Sequence, residues 1–473
     1  MIVSEAAARP ASAIERLQRD AVGGAVGATS SLVVHAALVM LLAVLVITAD
    51  LPPVVTPLDS RWLTTREVQR NQAARAPVRI NTVIDGKPVP VTPMPRENSS
   101  EKTGGTRHPA IQPADVDGSL ATRQPAARAR MLGPLADGGV TDRAVNAALG
   151  WFIRQQQRAG NWRLHEGYPD AGLRSVRTDT GATALALLAF LGAGHAHREG
   201  RYRESVDRGL AWLVAQQRDD GNLFDIDEFG RRETYYSHAL ATIALCEAAA
   251  ITGDDRLKTA ARAGIDFLLD SQHPSRGGWK YRKQTELTNG DLSVTGWALM
   301  ALHTARMAGI EVPDDAFARA SLFLDSVEVG NRYRYMPEFP ASAAMTAEGL
   351  LCRQWLGWPR DYPPLEQGIS FLLDERQRPR WAEGRRNVYA WYYSAQVLHN
   401  IGGEPWETWY RTVREQIVSK QVKSGRNDVR GSWHPSKPPG APDEHAAEAG
   451  RLYLAAMCVL ILETPYRHRP IYE

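Results

Sequence analysis

From about residue 140 onward, the apolar positions recur in a two-part pattern. In the clearest copy, Val206, Leu210, Leu213 and Val214 fall at offsets 0, 4, 7 and 8, which puts them on one stripe of a helix. A turn rich in Gln and Gly follows. Residues 237–250 come next, apolar almost all round, as in a helix covered on every side, and Gly253 stands where a left-handed C-cap is needed. The same offsets recur from Val145 (Leu149, Phe152, Ile153), from Ala261 (Ile265, Leu268, Leu269) and from Leu365 (Ile369, Leu372, Leu373), with weaker copies from Phe317 and Tyr410. An aromatic residue stands beside the stripe at Trp151, Trp212, Phe267, Phe323 and Phe371. Each stripe is followed by an apolar segment: 180–191, 237–250, 294–308, 343–356, 390–401 and 446–462. Five of the six end near Gly192, Gly253, Gly309, Gly357 or Gly402.

Six amphipathic helices alternating with six apolar ones predict an all-α (α/α)6 toroid over 141–473. The apolar helices form an inner ring, and each amphipathic helix buries its one stripe against it. The alternative is an open helical array, which leaves its two end repeats uncovered. Apolar character on all sides of every second helix argues for the closed ring.

Composition narrows the function. The net charge of +3 on 473 residues offers no electrostatic footprint for nucleic acid. Cys246, Cys352 and Cys458 each fall inside an apolar segment, without the spacing of a metal site or a disulfide framework. Residues 1–20 are polar and carry Arg9, Arg16 and Arg19. No Asp, Glu, Lys or Arg occurs from 21 to 49, and that run reaches the roughly 20 residues that cross a bilayer. We read 21–50 as a retained anchor rather than a cleaved signal peptide, whose core is shorter. The arginines before it place 1–20 in the cytoplasm and the rest outside it, a single-pass inner-membrane topology. Ser31 and His35 lie one helical turn apart in the anchor. The pair resembles the anchor of TonB-type energy transducers, which would imply a membrane partner; the alternative is a Ser bonded to its own helix and a His near the interface. Residues 51–140, with twelve prolines, read as a flexible linker, apart from an alternating stretch at 78–92 that suits a short hairpin.

The turns carry the family signal. Gln156, Gly160 and Trp162 stand at offsets 0, 4 and 6; Gln217 and Gly221 keep the first two; Gln272, Gly278 and Trp279 are one residue longer; Gln421 with Gly425, then Gly431 and Trp433, are looser. This resembles the Gln-Trp repeat of squalene–hopene cyclases and of prenyltransferase β-subunit toroids, over about 140–465. The resemblance implies the toroid fold. Its catalytic implications are largely unmet. The cyclases' Asp-x-Asp-Asp-Thr-Ala motif aligns with Asp291-Leu-Ser-Val-Thr-Gly296, which keeps Asp291 and Thr295 but has Ser293 where the proton donor stands. Around Asp179 only the last acid is kept, and the acidic run 225–228 lies well before the next inner helix. The second barrel of hopene-type cyclases has no room here, and the Asp-x-Cys zinc ligands of prenyltransferases are missing, so neither a metal nor another cofactor is implied.

Parallel inner helices aim their N-termini into one mouth. It would hold Asp179, Thr180, Tyr235, Tyr236, His238, Asp291, Thr295, Trp297, Glu348, Tyr389, Trp391, Tyr392, His445 and Glu448. Asp291, Asp179, His238 and Glu448 are the candidates for acid–base work, and the others for lining a pocket. The competing reading is that the aromatics fill the ring and the acids neutralise helix N-termini. Three functions remain open: a toroid that binds a hydrophobic or carbohydrate ligand, or a partner, without squalene-cyclase activity; an enzyme acting on a prenyl chain; or a carbohydrate-active (α/α)6 enzyme. The missing acid favours the first.

Overall fold

The carbonyls at the end of a helix and the amides at its start have no partners within it, and this chain meets those needs the same way in hairpin after hairpin. The computed structural model describes residues 108–132, 138–224 and 234–472. The expected anchor at 21–50, with Ser31 and His35, and the hairpin at 78–92 lie outside them, as does the acidic run 225–228. Among the described residues no helix is long and apolar enough to cross a membrane.

After a short α1 (Pro125–Leu132), outer helices α2 (Gly138–Gln155), α4 (Arg203–Gln216), α6 (Asp255–Ser271), α8 (Asp314–Val327), α10 (Pro363–Leu373) and α12 (Gly403–Lys420) alternate with inner ones. The inner helices are α3 (Asp179–Gly192), α5 (Thr234–Thr252), α7 (Leu292–Met307), α9 (Ala343–Trp355), α11 (Val388–Ile401) and α13 (Ala446–Arg467). Each inner helix packs on the two beside it, α13 on α3 included, so the ring is closed. Outer α4 to α12 pack on the inner helix of the preceding hairpin, and α2 packs on α13. The stripe residues Val145, Val206, Ala261, Phe317, Leu365 and Tyr410 are all buried, as are the three cysteines. A two-stranded hairpin, β1 (Glu328–Val329) with β2 (Arg332–Tyr333), replaces the turn after α8.

The repeated turn residues are stitches. Gln156 Nε2 donates to Gly160 O in its own turn and to Ser205 O in the next outer helix. Gln217 does the same to Gly221 O and Ala260 O, and Gln272 to Gly277 O and Ala316 O. Gln421 donates to Gly431 O and, across the closure, to Ala144 O in α2 at 2.8 Å. The turn glycines permit this approach: a Cβ on Gly277 would stand 1.8 Å from Arg319 O, and one on Gly431 2.2 Å from Ala147 O. Trp162, Trp279 and Trp433 each send the indole N–H to a carbonyl near the end of the preceding outer helix. In the last hairpin Gly431 takes this place, since a Cβ on Gly425 would meet nothing within 4 Å.

α3 ends at Gly192, as expected, and the left-handed residue stands two positions on, at Gly194, with φ +81°. Gly192 is small because Glu463 and Arg467 press on it, within 2.1 Å of where its Cβ would be. The linker expected over 51–140 is folded at its end. Residues 108–124 form a strap across the C-terminal ends of the inner helices. Gln112 N and Ala114 N donate to Leu356 O and Trp355 O, using carbonyls that α9 leaves open, so a segment with little core of its own gains fixed partners. Arg123 then enters the ring's end and pairs with Glu247 through both terminal nitrogens at 2.9 Å. Hydrogen-exchange mass spectrometry on the full chain is expected to find the amides of Gln112 and Ala114 protected. Exchange there at the rate of an unstructured peptide would mean that the strap is not docked.

Candidate functional site

Parallel inner helices place their first turns around one opening, where hydroxyls and acids gather. Asp291 caps α7, its Oδ1 accepting from Val294 N at 2.9 Å and from Ser293 Oγ at 3.1 Å. Its Oδ2 accepts from Tyr335 Oη at 3.0 Å, and Tyr335 Oη lies 2.5 Å from Tyr281 Oη. Ser293 Oγ and Tyr236 Oη are 2.6 Å apart. The result is a hydrogen-bonded chain from Tyr281 through Tyr335, Asp291 and Ser293 to Tyr236. Burial pushes Asp291 up to about 6, against its capping bond and nearby Lys280.

The second acid comes from α9. Glu348 is fully buried and accepts from Tyr389 Oη at 3.2 and 3.4 Å. Its carboxyl lies against Gly296, 2.1 Å from where a Cβ would be. Burial, with no cation among its hydrogen-bond partners, pushes Glu348 well above the usual carboxylate range. Tyr393, one turn on from Tyr389, stacks edge-on to it. Trp297 stacks on Tyr392, with ring centroids 5.6 Å apart, and forms a waist across the ring.

The structure therefore brings together Tyr236, Asp291, Trp297, Glu348, Tyr389 and Tyr392 of the expected set. Others serve the repeat. His238 takes the amide of Leu223 on Nδ1 and bonds Gly264 O through Nε2. Thr183, Thr295 and Thr346 accept the matching amides of Trp162, Trp279 and Tyr333, so His238 fills a threonine's structural place, and burial lowers it to about 4. Tyr235 bonds Ser271, Thr180 bonds Leu223 O, and Trp391 lies near Trp381 of the preceding turn. Asp179 accepts from Asn161 at the start of α3. His445 and Glu448 are exposed at the rim, 3.9 Å apart, before a break in α13 at Gly450.

Sequence reasoning missed Tyr281 and Tyr335, which lie in turns without periodicity. Tyr393 was within reach, because it stands four residues from Tyr389 on one helical face. At the opposite end of the ring, a cavity of about 40 Å³ lies under the strap, bordered by Met300, His303, Trp355, Gln396, His399 and His468. Elsewhere among the described residues, His108, Asp325 and Glu328 converge, and Arg353 donates to both carboxylates at 2.5 and 3.3 Å, so a cation already occupies this acidic cluster.

Residues 132–231 match the squalene-hopene cyclase C-terminal domain. The squalene–hopene cyclase of Bradyrhizobium diazoefficiens is 26% identical over 282 residues, covering 52% of this chain and 41% of the cyclase. The chain thus spans about two fifths of that relative's length. Among solved structures, a type II terpene cyclase from Scytonema is 14% identical with a TM-score of 0.44, covering 69% of this chain and 98% of its own. The cellobiose 2-epimerase of Spirochaeta thermophila is 16% identical with a TM-score of 0.45, covering 74% and 99%. The likeness to the squalene–hopene cyclase C-terminal domain thus covers residues 132–231.

Proposed function

We propose that the chain is a membrane-anchored, exported toroid of the terpenoid-cyclase type that binds a ligand or partner at the mouth of its ring and does not cyclise squalene. The observation that carries this is Ser293. Its hydroxyl stands at the motif's proton-donor position and is held between Asp291 and Tyr236, and a serine hydroxyl is far too weak an acid to protonate an alkene. Behind it, buried Trp297 and Tyr392 stack on each other with ring centroids 5.6 Å apart. The half-buried Tyr236, Tyr281, Tyr335 and Tyr453 offer ring faces and hydroxyls to a bound molecule. The run 21–49, free of Asp, Glu, Lys and Arg, behind three arginines supports the anchor, and the Ser31–His35 pair supports docking on a membrane partner. One observation favours an alternative: two acids in different surroundings, Asp291 and Glu348, suit mild acid–base chemistry on a prenyl or carbohydrate substrate.

The full chain in detergent, incubated with squalene and shorter polyprenyl substrates, is expected to yield no cyclised product by gas chromatography–mass spectrometry. A product that appears with the wild type and disappears in a folded Asp291→Asn variant would make Asp291 the acid and end the binding reading.

A further inference from the structure

We propose that the strap over residues 108–124 is an acid-released latch: protonation of His303, His399 and His468, which share the cavity beneath it, drives the strap off the end of the ring.

The three histidines come from α7, α11 and the tail after α13. With Asp115 and Ser119 of the strap they border one cavity of about 40 Å³. His303 and His399 are 5% and 7% exposed, and His468 is half-buried. The Nδ1 atoms of His303 and His468 are buried without a hydrogen-bond partner, and the His303 ring stacks on Trp355 of α9 with centroids 5.3 Å apart. The charges facing the cluster are mostly cations: Arg306 on α7, Arg467 at the end of α13, Arg469 in the tail and Arg123 on the strap. Glu247 Oε1 of α5 lies 3.9 Å from His468 Nε2, but Arg123 and Arg467 both donate to that carboxylate. Glu463 of α13 accepts from Arg467. Asp115 is exposed, where water screens it. A proton on any of the three rings would therefore add a charge to a closed, already cationic space. Burial pushes His303 to about 3, with Arg306 adding to it, and His399 to about 4 against a bond with the backbone of Pro465. His468 is lowered well below its ordinary value by burial, then by Arg123 and Arg467.

The strap completes the wall of this cavity, and a handful of bonds hold it. Besides the two amides given to α9 and the pairing of Arg123, Ala114 O accepts from Arg306 at 3.2 Å and Ser119 O from Arg469 N at 2.9 Å. A hydrated histidine holds its proton up to about pH 6.5, so the open strap takes up protons that the closed one refuses. Above that pH the rings are neutral in both states and docking is unaffected. Below it, each histidine that opening hydrates favours the open form by about tenfold per pH unit, until its value in the closed form is reached. His108, at the start of the strap, works the other way. Its Nε2 lies 3.2 Å from Glu328 and 3.5 Å from Asp325, so a charge there tightens docking and offsets at most one of the three.

Hydrogen-exchange mass spectrometry on the full chain, corrected for the intrinsic effect of pH on exchange, tests the latch. Between pH 6.5 and 5 the protection of 108–124 is expected to fall by at least about tenfold per pH unit, while 180–191 and 446–462 keep theirs. The triple variant His303→Gln, His399→Gln, His468→Gln should hold its strap as firmly at pH 5 as at pH 7. Should it not fold, the single variants His303→Gln and His399→Gln carry the test, and each should make the fall shallower. His108→Gln should leave release in place. Equal strap protection at pH 7 and pH 5, release in the histidine variants as steep as in the wild type, or loss of ring and strap protection together would each overturn the proposal.

Discussion

Arg123→Ala is expected to lower the unfolding free energy of the full chain by about 3–5 kcal/mol, the range for removing one partner of a buried ion pair. Arg123 is 3% exposed and Glu247 1%. Besides its two bonds to Glu247, Arg123 sends Nε to Arg467 O at 2.7 Å. Burial alone would push Glu247 up, but Arg123 and Arg467 outweigh it and hold the carboxyl below its ordinary range. Alanine would leave Glu247 buried with Arg467 as its one arginine, and Arg467 also serves Glu463. It would also cut the strap's deepest attachment. Denaturant titration followed by tryptophan fluorescence measures the loss. A change below about 1 kcal/mol would mean that Arg123 behaves as an exposed surface charge does.

Gly277→Ala should be comparably severe, by about 2–4 kcal/mol, when left-handed strain and overpacking are combined. Gly277 sits at φ +74° and its Cβ would fall 1.8 Å from a backbone oxygen of α8, which cannot swing away as a side chain could. Gly425 provides the control. Its φ is +98°, but nothing lies within 4 Å of its Cβ, so Gly425→Ala carries only the strain, about 1 kcal/mol. If the two substitutions cost the same, the turn-to-helix contact does not hold the ring as described.

The ring was legible because its signal is repeated. An apolar stripe at Val206 says little alone, but six copies in phase with apolar partners leave few ways to pack. The turn glutamines were legible as a family mark, though not as donors reaching the next outer helix, since that bond joins residues far apart in sequence, such as Gln421 and Ala144. Within the site, Asp291 and Glu348 could be named from helix starts, but their relation could not. It depends on Gly296, whose meaning appears only when α9 is laid beside α7. His238 shows the opposite error. A histidine near a helix start resembles a functional group, yet its place in the repeat belongs to a threonine that accepts an amide. The folded strap was hidden because composition reports a segment's own core, and 108–124 draws its stability from the helix ends it covers.

The closure between Gln421 and Ala144 has a consequence for synthesis on the ribosome. An open array can complete each repeat as it emerges, whereas here the first outer helix waits for the last hairpin. Arg123 and Glu247 likewise wait for Arg467, near the end of the chain. At about 5–20 residues per second, the early inner helices spend tens of seconds with an apolar side uncovered. The nascent protein should therefore depend on chaperones until its final helix is released, and a ribosome stalled before 467 should hold a chain that is helical but still open.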